Sequence, residues 1–436
     1  MGYLLTNQPS RALAVNRPRF DRRCTAQQCP SSGYRFSALT RLFAASAVAP
    51  NLKANMVRFM TSPDTFSDTP ETSPSLPTAY KLPWWAIAIP LLGLGASFIG
   101  APASGIGTAI VALILGASVL AAVYHAELVA HRVGEPFGTL ILALAVTIIE
   151  GALIVSMMLS DAEAAQTLAR DTVFAAIMIV LNGIIGVCLL VGAHHHSEQR
   201  YTQYGVSAGL AMLATLAGLT LVLPNFTTSE PGPVYSAKQL IFVGTVSLII
   251  YATYVFAQTI WHRSYFLPKD LDGDGIPDHH GPTPEGRTLA AILGLLVAAL
   301  VAVVLLAKAL SPAIKDAVYN AGAPAATVGI IIAALVLLPE GIAAAKAARQ
   351  NRLQTSLNLA IGSALATIGL TIPVVAVVSV VLGLDLALGL SPKSMTLLAL
   401  TLFVSSLSLG TGKTTFIQGT VHLVIFAAFL FTTLVP

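Results

Sequence analysis

Beyond Lys81 the chain alternates between long apolar blocks and short polar links. Eleven blocks stand out, at about 84–101, 105–124, 139–159, 172–193, 205–223, 238–260, 288–309, 324–345, 356–382, 394–410 and 415–434. Most run close to the length that carries a helix across a bilayer core, ~20 residues. None shows the period-two alternation of a membrane β-strand. The pattern predicts an all-α polytopic membrane protein with about eleven transmembrane helices.

Composition agrees. Apolar residues make up 55% of the 436 and charged residues 10%, with a mean hydropathy of +0.77. Soluble domains are about 25% charged, so a water-soluble fold of this size is excluded. Three cysteines, Cys24, Cys29 and Cys188, are too few for a disulfide framework. The 34 glycines and 25 prolines are tolerated where helices pack in a membrane.

Charge is unevenly placed. Residues 1–58 hold nine Lys and Arg and one acid, Asp21, so the net +4 belongs to this tail and implies no nucleic-acid partner. An Arg-rich, Ser-containing, acid-poor tail reads as a transit peptide. The plainer readings are a disordered leader, or a start placed too far upstream, with Met56 as the alternative. Residues 61–79 form a Ser/Thr/Pro linker with too little apolar content to fold.

Lys and Arg crowd cytoplasmic links and so orient a bundle. With the N-terminus inside, the inner links hold nine: Arg132, Arg200, Arg263, Lys269, Arg287, Lys346, Arg349, Arg352 and Lys413. The outer links hold four: Arg170, Lys238, Lys315 and Lys393. The bias predicts an inner N-terminus and, with eleven spans, an outer C-terminus.

Two acids stand inside apolar blocks. Glu150 lies in TLILALAVTIIEGALIVSMML and Glu340 in IIIAALVLLPEGIAAAKAA. A charge there costs ~2.5–3.5 kcal/mol on insertion scales, so such residues mark function by default. The alternative is a protonated Glu bonded within a helix interface. Each Glu is followed by Gly, and after each comes a polar link and a long span: DTVFAAIMIVLNGIIGVCLLV and TSLNLAIGSALATIGLTIPVV. Asp171 aligns with Thr355 and Asn182 with Ala366 after a six-residue adjustment. Five spans separate the two units, so they run in opposite orientation, the inverted-repeat plan of secondary transporters.

The expected organisation is therefore a basic, then Ser/Thr/Pro-rich disordered extension over 1–80 and a leading helix over 84–101. A first repeat with Glu150 follows over 105–260, an acidic inter-repeat loop over 261–287, and a second repeat with Glu340 over 288–436. Such repeats bring both acidic helices to the midplane, where the carboxylates share a cation. Pro339 removes a backbone hydrogen bond next to Glu340, and freed carbonyls there are hard oxygen ligands. Thr147, Ser156 and Asn182 in one half, and Ser363, Thr367 and Thr371 in the other, are read either as site lining or as ordinary interhelical contacts.

Residues 125–154, HAELVAHRVGEPFGTLILALAVTIIEGALI, resemble the signature of the ChaA-type sodium–potassium/proton and calcium/proton antiporters. Residues 337–375 resemble its second-repeat counterpart, and LGTGKTTFIQGTVHLVIFAAFLF resembles the last span of that family. The likeness runs over 84–436. It implies membership of the calcium/cation antiporter superfamily, two inverted five-helix repeats after a leading helix, and cation binding by one acid per repeat, here Glu150 and Glu340. Better-known cation/proton exchangers carry Gly-Asn-Ala-x-Glu before each acid. This chain has Val146-Thr147-Ile148-Ile149-Glu150 and Val336-Leu337-Leu338-Pro339-Glu340, without the Asn.

Other polar clusters carry weaker expectations. Asp270, Asp272, Asp274 and Asp278, with Gly275, follow the spacing of a Ca2+ loop, but Gly281 stands where the bidentate Glu belongs. A regulatory Ca2+ loop and a solvated acidic link are both open, and His279 and His280 beside it suit a transition metal. His194-His195-His196 is read as an interfacial polar patch rather than a metal site. His125, Glu127, His131 and Glu135 are placed in the link into the first acidic span, as proton relay or gate or as an interfacial turn. Gly410-Thr411-Gly412-Lys413-Thr414 imitates the end of a P-loop, but Leu407 replaces the required Gly, so nucleotide binding is rejected.

The function expected is secondary antiport of Ca2+ and/or Na+, with K+ as a further candidate, against H+, with no cofactor. The partners are lipid and inorganic cations, and the expected location is the bacterial inner (plasma) membrane. The alternative is a passive cation channel using the same acids. An intramembrane enzyme needs a nucleophile–base pair, an Asp dyad or a zinc-binding His pair, and none is apparent; His422 is read as isolated.

Overall fold

Each apolar block folds as helix, because a chain out of reach of water must satisfy its backbone N–H and C=O groups within itself. The computed structural model describes residues 82–98, 105–133, 137–160, 162–267, 286–324 and 326–435. The N-terminal tail, the Asp270–Asp278 loop and Glu135 lie outside them.

The leading helix α1 is Trp84–Ser97, followed by α2, Gly105–Val133, and α3, Phe137–Ser160, which carries Glu150. Helix α4, Ala162–Met178, passes through a π turn, Ile179–Ile184, into α5, Ile185–His196. A two-residue strand β1, Gln199–Arg200, leads to α6, Gln203–Ala217, and α7, Ala237–Phe256, each ending in a further π turn. The second half contains α8, Gly286–Asn320, then α9, Ala326–Arg349, with Glu340, and α10, Leu353–Leu382. Helix α11, Pro392–Leu409, strand β2, Lys413–Thr414, and α12, Phe416–Leu434, complete it. Eight of these helical bodies are long and apolar enough to cross a membrane, or nine with α9, which bends by 49° between Leu338 and Glu340.

Helix ends follow local chemistry. Gln239 and Gln418 complete capping boxes with Ser236 and Thr415 at the starts of α7 and α12. Helix α10 stops at Gly383, whose φ of +64° favours a residue without Cβ.

The outer faces stay apolar: Phe242, Ile249, Phe403 and Val424 are all exposed on their helices. In a protein of this composition that face belongs to lipid. Two helices are instead wrapped by the others. The apolar window of Gln166–His196 is 89% buried and that of Leu353–Leu382 56%, against a third or less for the helices of Ala237–Trp261 and Phe416–Leu434. These are the spans that follow the two acidic helices.

Links that an up-and-down path puts at one end do meet there. Strand β1 pairs antiparallel with β2, and Glu198 lies 3.5 Å from both Arg200 and Lys413. Gln199 donates to Ala348 O at 2.8 Å, and Gln354 accepts from Thr202 N at 2.6 Å. At the opposite end Ala387 N bonds Gln166 O at 2.9 Å and Gly389 N bonds Pro233 O at 3.1 Å. Tyr235 there donates to Leu219 O at 2.6 Å, and burial pushes its hydroxyl up to about 12.

Several expected boundaries change, and Arg132 and Arg170 fall within α2 and α4 instead of in links. Helix α2 continues to Val133, so His125 and Glu127 sit in a helix rather than in a link. It continues because Trp85 stacks on Tyr124 at 4.7 Å and His125 bonds the leading helix, which covers that turn. Lys315 likewise lies within α8 instead of in an outer loop.

Candidate functional site

Glu150 and Glu340 are each 1% exposed. Helix α10 reaches both. Thr367 donates to Glu150 Oε2 at 2.6 Å, and Ser363 donates to Glu340 Oε2. The two hydroxyls are four residues apart, so they share one face of α10, separated by about 6 Å along its axis. The second oxygen of each carboxyl, Oε1, is buried and finds no hydrogen-bond partner among the described residues.

The glycines after the acids mark where their helices meet neighbours, closely at Gly341 and with room for a Cβ at Gly151. A Cβ on Gly151 would stand 4.0 Å from Thr371 Oγ1, and one on Gly341 3.3 Å from Ile184 Cγ1. Thus α3 lies against α10, and α9 against the π turn between α4 and α5. Thr371 is buried on the same face as Ser363 and Thr367, and its hydroxyl also lacks a partner among the described residues. Two carboxyls and a row of hydroxyls form a hard-oxygen set suited to Ca2+, Na+ or K+. Among the described residues the ion pairs are Arg170–Asp171 within α4 and those of Glu198 beside β1, and none reaches either Glu.

Other expected lining residues separate. Thr147 is buried one turn before Glu150 but returns its hydroxyl to Ala143 O at 2.8 Å, within its own helix. Ser156 is half-buried farther along α3. Asn182 faces away from the acids: its Nδ2 donates to Thr401 Oγ1 at 2.9 Å, and its Oδ1 lies 3.3 Å from His422 Nδ1. His422, read as isolated, is therefore bonded on both ring nitrogens, with Ser408 Oγ 2.7 Å from Nε2.

His125 is fully buried and donates through Nε2 to Ala86 O at 2.8 Å, a structural contact between α2 and α1. Glu127 is half-buried on the same helix. The side chain of His131, all of Glu135, and Asp270, Asp272, Asp274 and Asp278 lie outside the described residues. In the histidine run, His195 bonds Val191 O and His196 bonds Arg349 O. Among the described residues no three His, Cys, Asp or Glu side chains converge as metal ligands.

The profile of the sodium/calcium exchanger protein family matches residues 87–260 and 291–435. A putative ionic transporter, y4hA, from Sinorhizobium fredii is 50% identical over 360 residues, 81% of this chain and 97% of the relative. The sodium-potassium/proton antiporter ChaA of Escherichia coli is 34% identical over 316 residues, 72% of this chain and 85% of the relative. The crystal structure of the H+/Ca2+ exchanger CAX superposes with a TM-score of 0.59 at 16% identity, covering 79% of this chain and 86% of that one.

Proposed function

The chain belongs to the sodium/calcium exchanger protein family, and we propose that it is a secondary active antiporter exchanging Ca2+ and/or Na+, with K+ as a further cargo, for H+. Glu150 and Glu340 form the binding site. The observation that carries this reading is the state of the two carboxyls: one oxygen of each is fixed by a hydroxyl of α10, and the other is buried without a partner among the described residues. A buried carboxylate needs compensation, which a proton or a cation supplies at Oε1. The two cargoes compete for the same atoms, so uptake of one releases the other.

Ser363 and Thr367 hold the carboxylates in place whichever cargo is bound, and Thr371 adds an oxygen beside them. Thr147 and Ser156 support α3 rather than the cation. In this reading residues 105–260 and 288–436 are inverted repeats after the leading helix. Rocking of α3 and α9 against the buried helices α4–α5 and α10 then exposes the site to each side in turn. The N-terminus is inside and the membrane is the bacterial inner membrane. The 261–287 segment is a link that regulates without carrying ions.

Uphill flux tests antiport against a passive pore. Proteoliposomes are loaded with cation, diluted into the same cation concentration, and given a pH gradient alone. An antiporter accumulates or expels cation against its gradient. A channel only equilibrates it, and that result would end the proposal.

A further inference from the structure

Both ring nitrogens of His422 are bonded, and the Leu181 backbone of the π turn also bonds the ring, at a depth where such a group is costly. The side chain is 0% exposed, as are Asn182 and Thr401. Asn182 Nδ2 points at Thr401 Oγ1 and at Met178 Sδ, 3.9 Å away, so its Oδ1 is the acceptor facing the ring. That orientation of Asn182 calls for the His422 proton on Nδ1, where the π turn offers Asn182 Oδ1 and the neighbouring Leu181 backbone bonds the ring. Its Nε2 accepts from Ser408. Three separate segments, the π turn, α11 and α12, meet in this one network.

Asn182 lies in the middle of the π turn Ile179–Ile184. A π turn inserts a residue into a helix and rotates everything after it, and it persists where something holds it. Helix α12 holds this one and the start of α5 closely: a Cβ on Gly183, within the turn, would stand 3.3 Å from Phe426 Cζ. A Cβ on Gly186 would stand 2.9 Å from Leu423 Cδ2 and 3.2 Å from His422 Cβ, and one on Gly419 would stand 2.9 Å from Leu190 N. The last residue of the turn, Ile184, packs on Gly341, the neighbour of Glu340.

We infer that His422 is a positioning residue for the cation site, acting through Asn182 and the π turn to set Ile184 against Gly341 and so the placement of Glu340. The inference rests on the antiporter reading above. The contact that matters is the ring's hold on the π turn, through Asn182 beside the Leu181 backbone, not its contact with Ser408. An Asn at 422 keeps an N–H near the Nδ1 position. A Gln keeps an acceptor near Nε2 and loses that donor.

The test measures cation-dependent proton flux in proteoliposomes for H422N, H422Q, H422L, N182A and the H422Q/N182A pair, with E340Q as control. Each variant is reconstituted in equal amounts after confirmation of its monodispersity in detergent. H422Q and N182A are expected to raise the half-saturating cation concentration about fivefold, with maximal rate within about twofold of the parent. H422N stays within about twofold, and the double variant is no worse than either single one. Parent-like half-saturation in H422Q, equal impairment in H422N and H422Q, or additive effects in the pair would each overturn the inference. The comparison of H422N with H422Q stands even if H422L fails to fold. Retained exchange in E340Q would instead remove the antiporter reading itself.

Discussion

Thr367 of α10 donates its hydroxyl to Glu150 of α3 at 2.6 Å, across 217 positions of sequence. Four residues earlier on α10, Ser363 does the same for Glu340. The symmetry of the two acids is therefore not matched in their support: both hydroxyls come from the second half. At the aligned positions the first-half helix has Ile179 and Gly183, which carry no hydroxyl.

Removal of the Thr367 hydroxyl should be felt in cation binding. A hydrogen bond to a charged group is worth about 1.5–3 kcal/mol, or roughly tenfold to a hundredfold in affinity. T367V keeps the volume and is expected to weaken apparent cation affinity by about that factor. T367S, which keeps the hydroxyl, should stay near the parent. Cation titrations of proton flux check both.

Cation affinity should depend on pH with a definite sign. Protons and cations compete for Glu150 and Glu340, so lowering the pH protonates the carboxylates and weakens cation binding. Half-saturating cation concentration is expected to fall as pH rises, and to level off once both acids are ionised. Transport titrations at a series of symmetric pH values would show it. A pH-independent half-saturation would separate proton binding from cation binding.

Crowding at Gly341 should be costly in stability. A Cβ there already stands 3.3 Å from Ile184 Cγ1, and a branched side chain must displace it. G341V is expected to cost about 1–3 kcal/mol and to lower the thermal midpoint in detergent. Shortening Ile184 to Ala in the same chain should recover part of the loss.

Much of this was legible in sequence. The eleven apolar blocks each overlap a helical body, though eight or nine of the described bodies are long and apolar enough to span, and Glu150, Glu340, Ser363 and Thr367 stand out as polar groups in apolar surroundings. Where polar side chains point was not legible. Asn182 aligned with Ala366 in a site-lining span, yet the π turn rotates that stretch, and an inserted residue leaves no mark in an apolar pattern. His422 read as isolated because its partners Asn182 and Ser408 come from other helices. The end of α2 is not legible because the apolar block stops at Tyr124, and the bond that ties His125 to α1 is made between helices.

The acidic link is expected to be separable from transport. Replacing Asp270, Asp272, Asp274 and Asp278 by Asn together should leave maximal exchange intact and change, at most, its dependence on cation. Flux assays on the fourfold variant check this. Complete loss of exchange in folded protein would assign the loop a part in the transport path.

The central claim is that Glu150 and Glu340 bind both cargoes. Gln keeps the size and hydrogen-bonding capacity of Glu but neither takes a proton nor supplies the charge that offsets a dehydrated cation. It also removes a buried ionisable group, so E150Q and E340Q should be no less stable than the parent. The direct measurement is cation-dependent proton efflux from vesicles containing equal amounts of each variant and a trapped pH dye. The account predicts no exchange in either single variant. Near-parent exchange in either would contradict it and leave the two acids as structural groups.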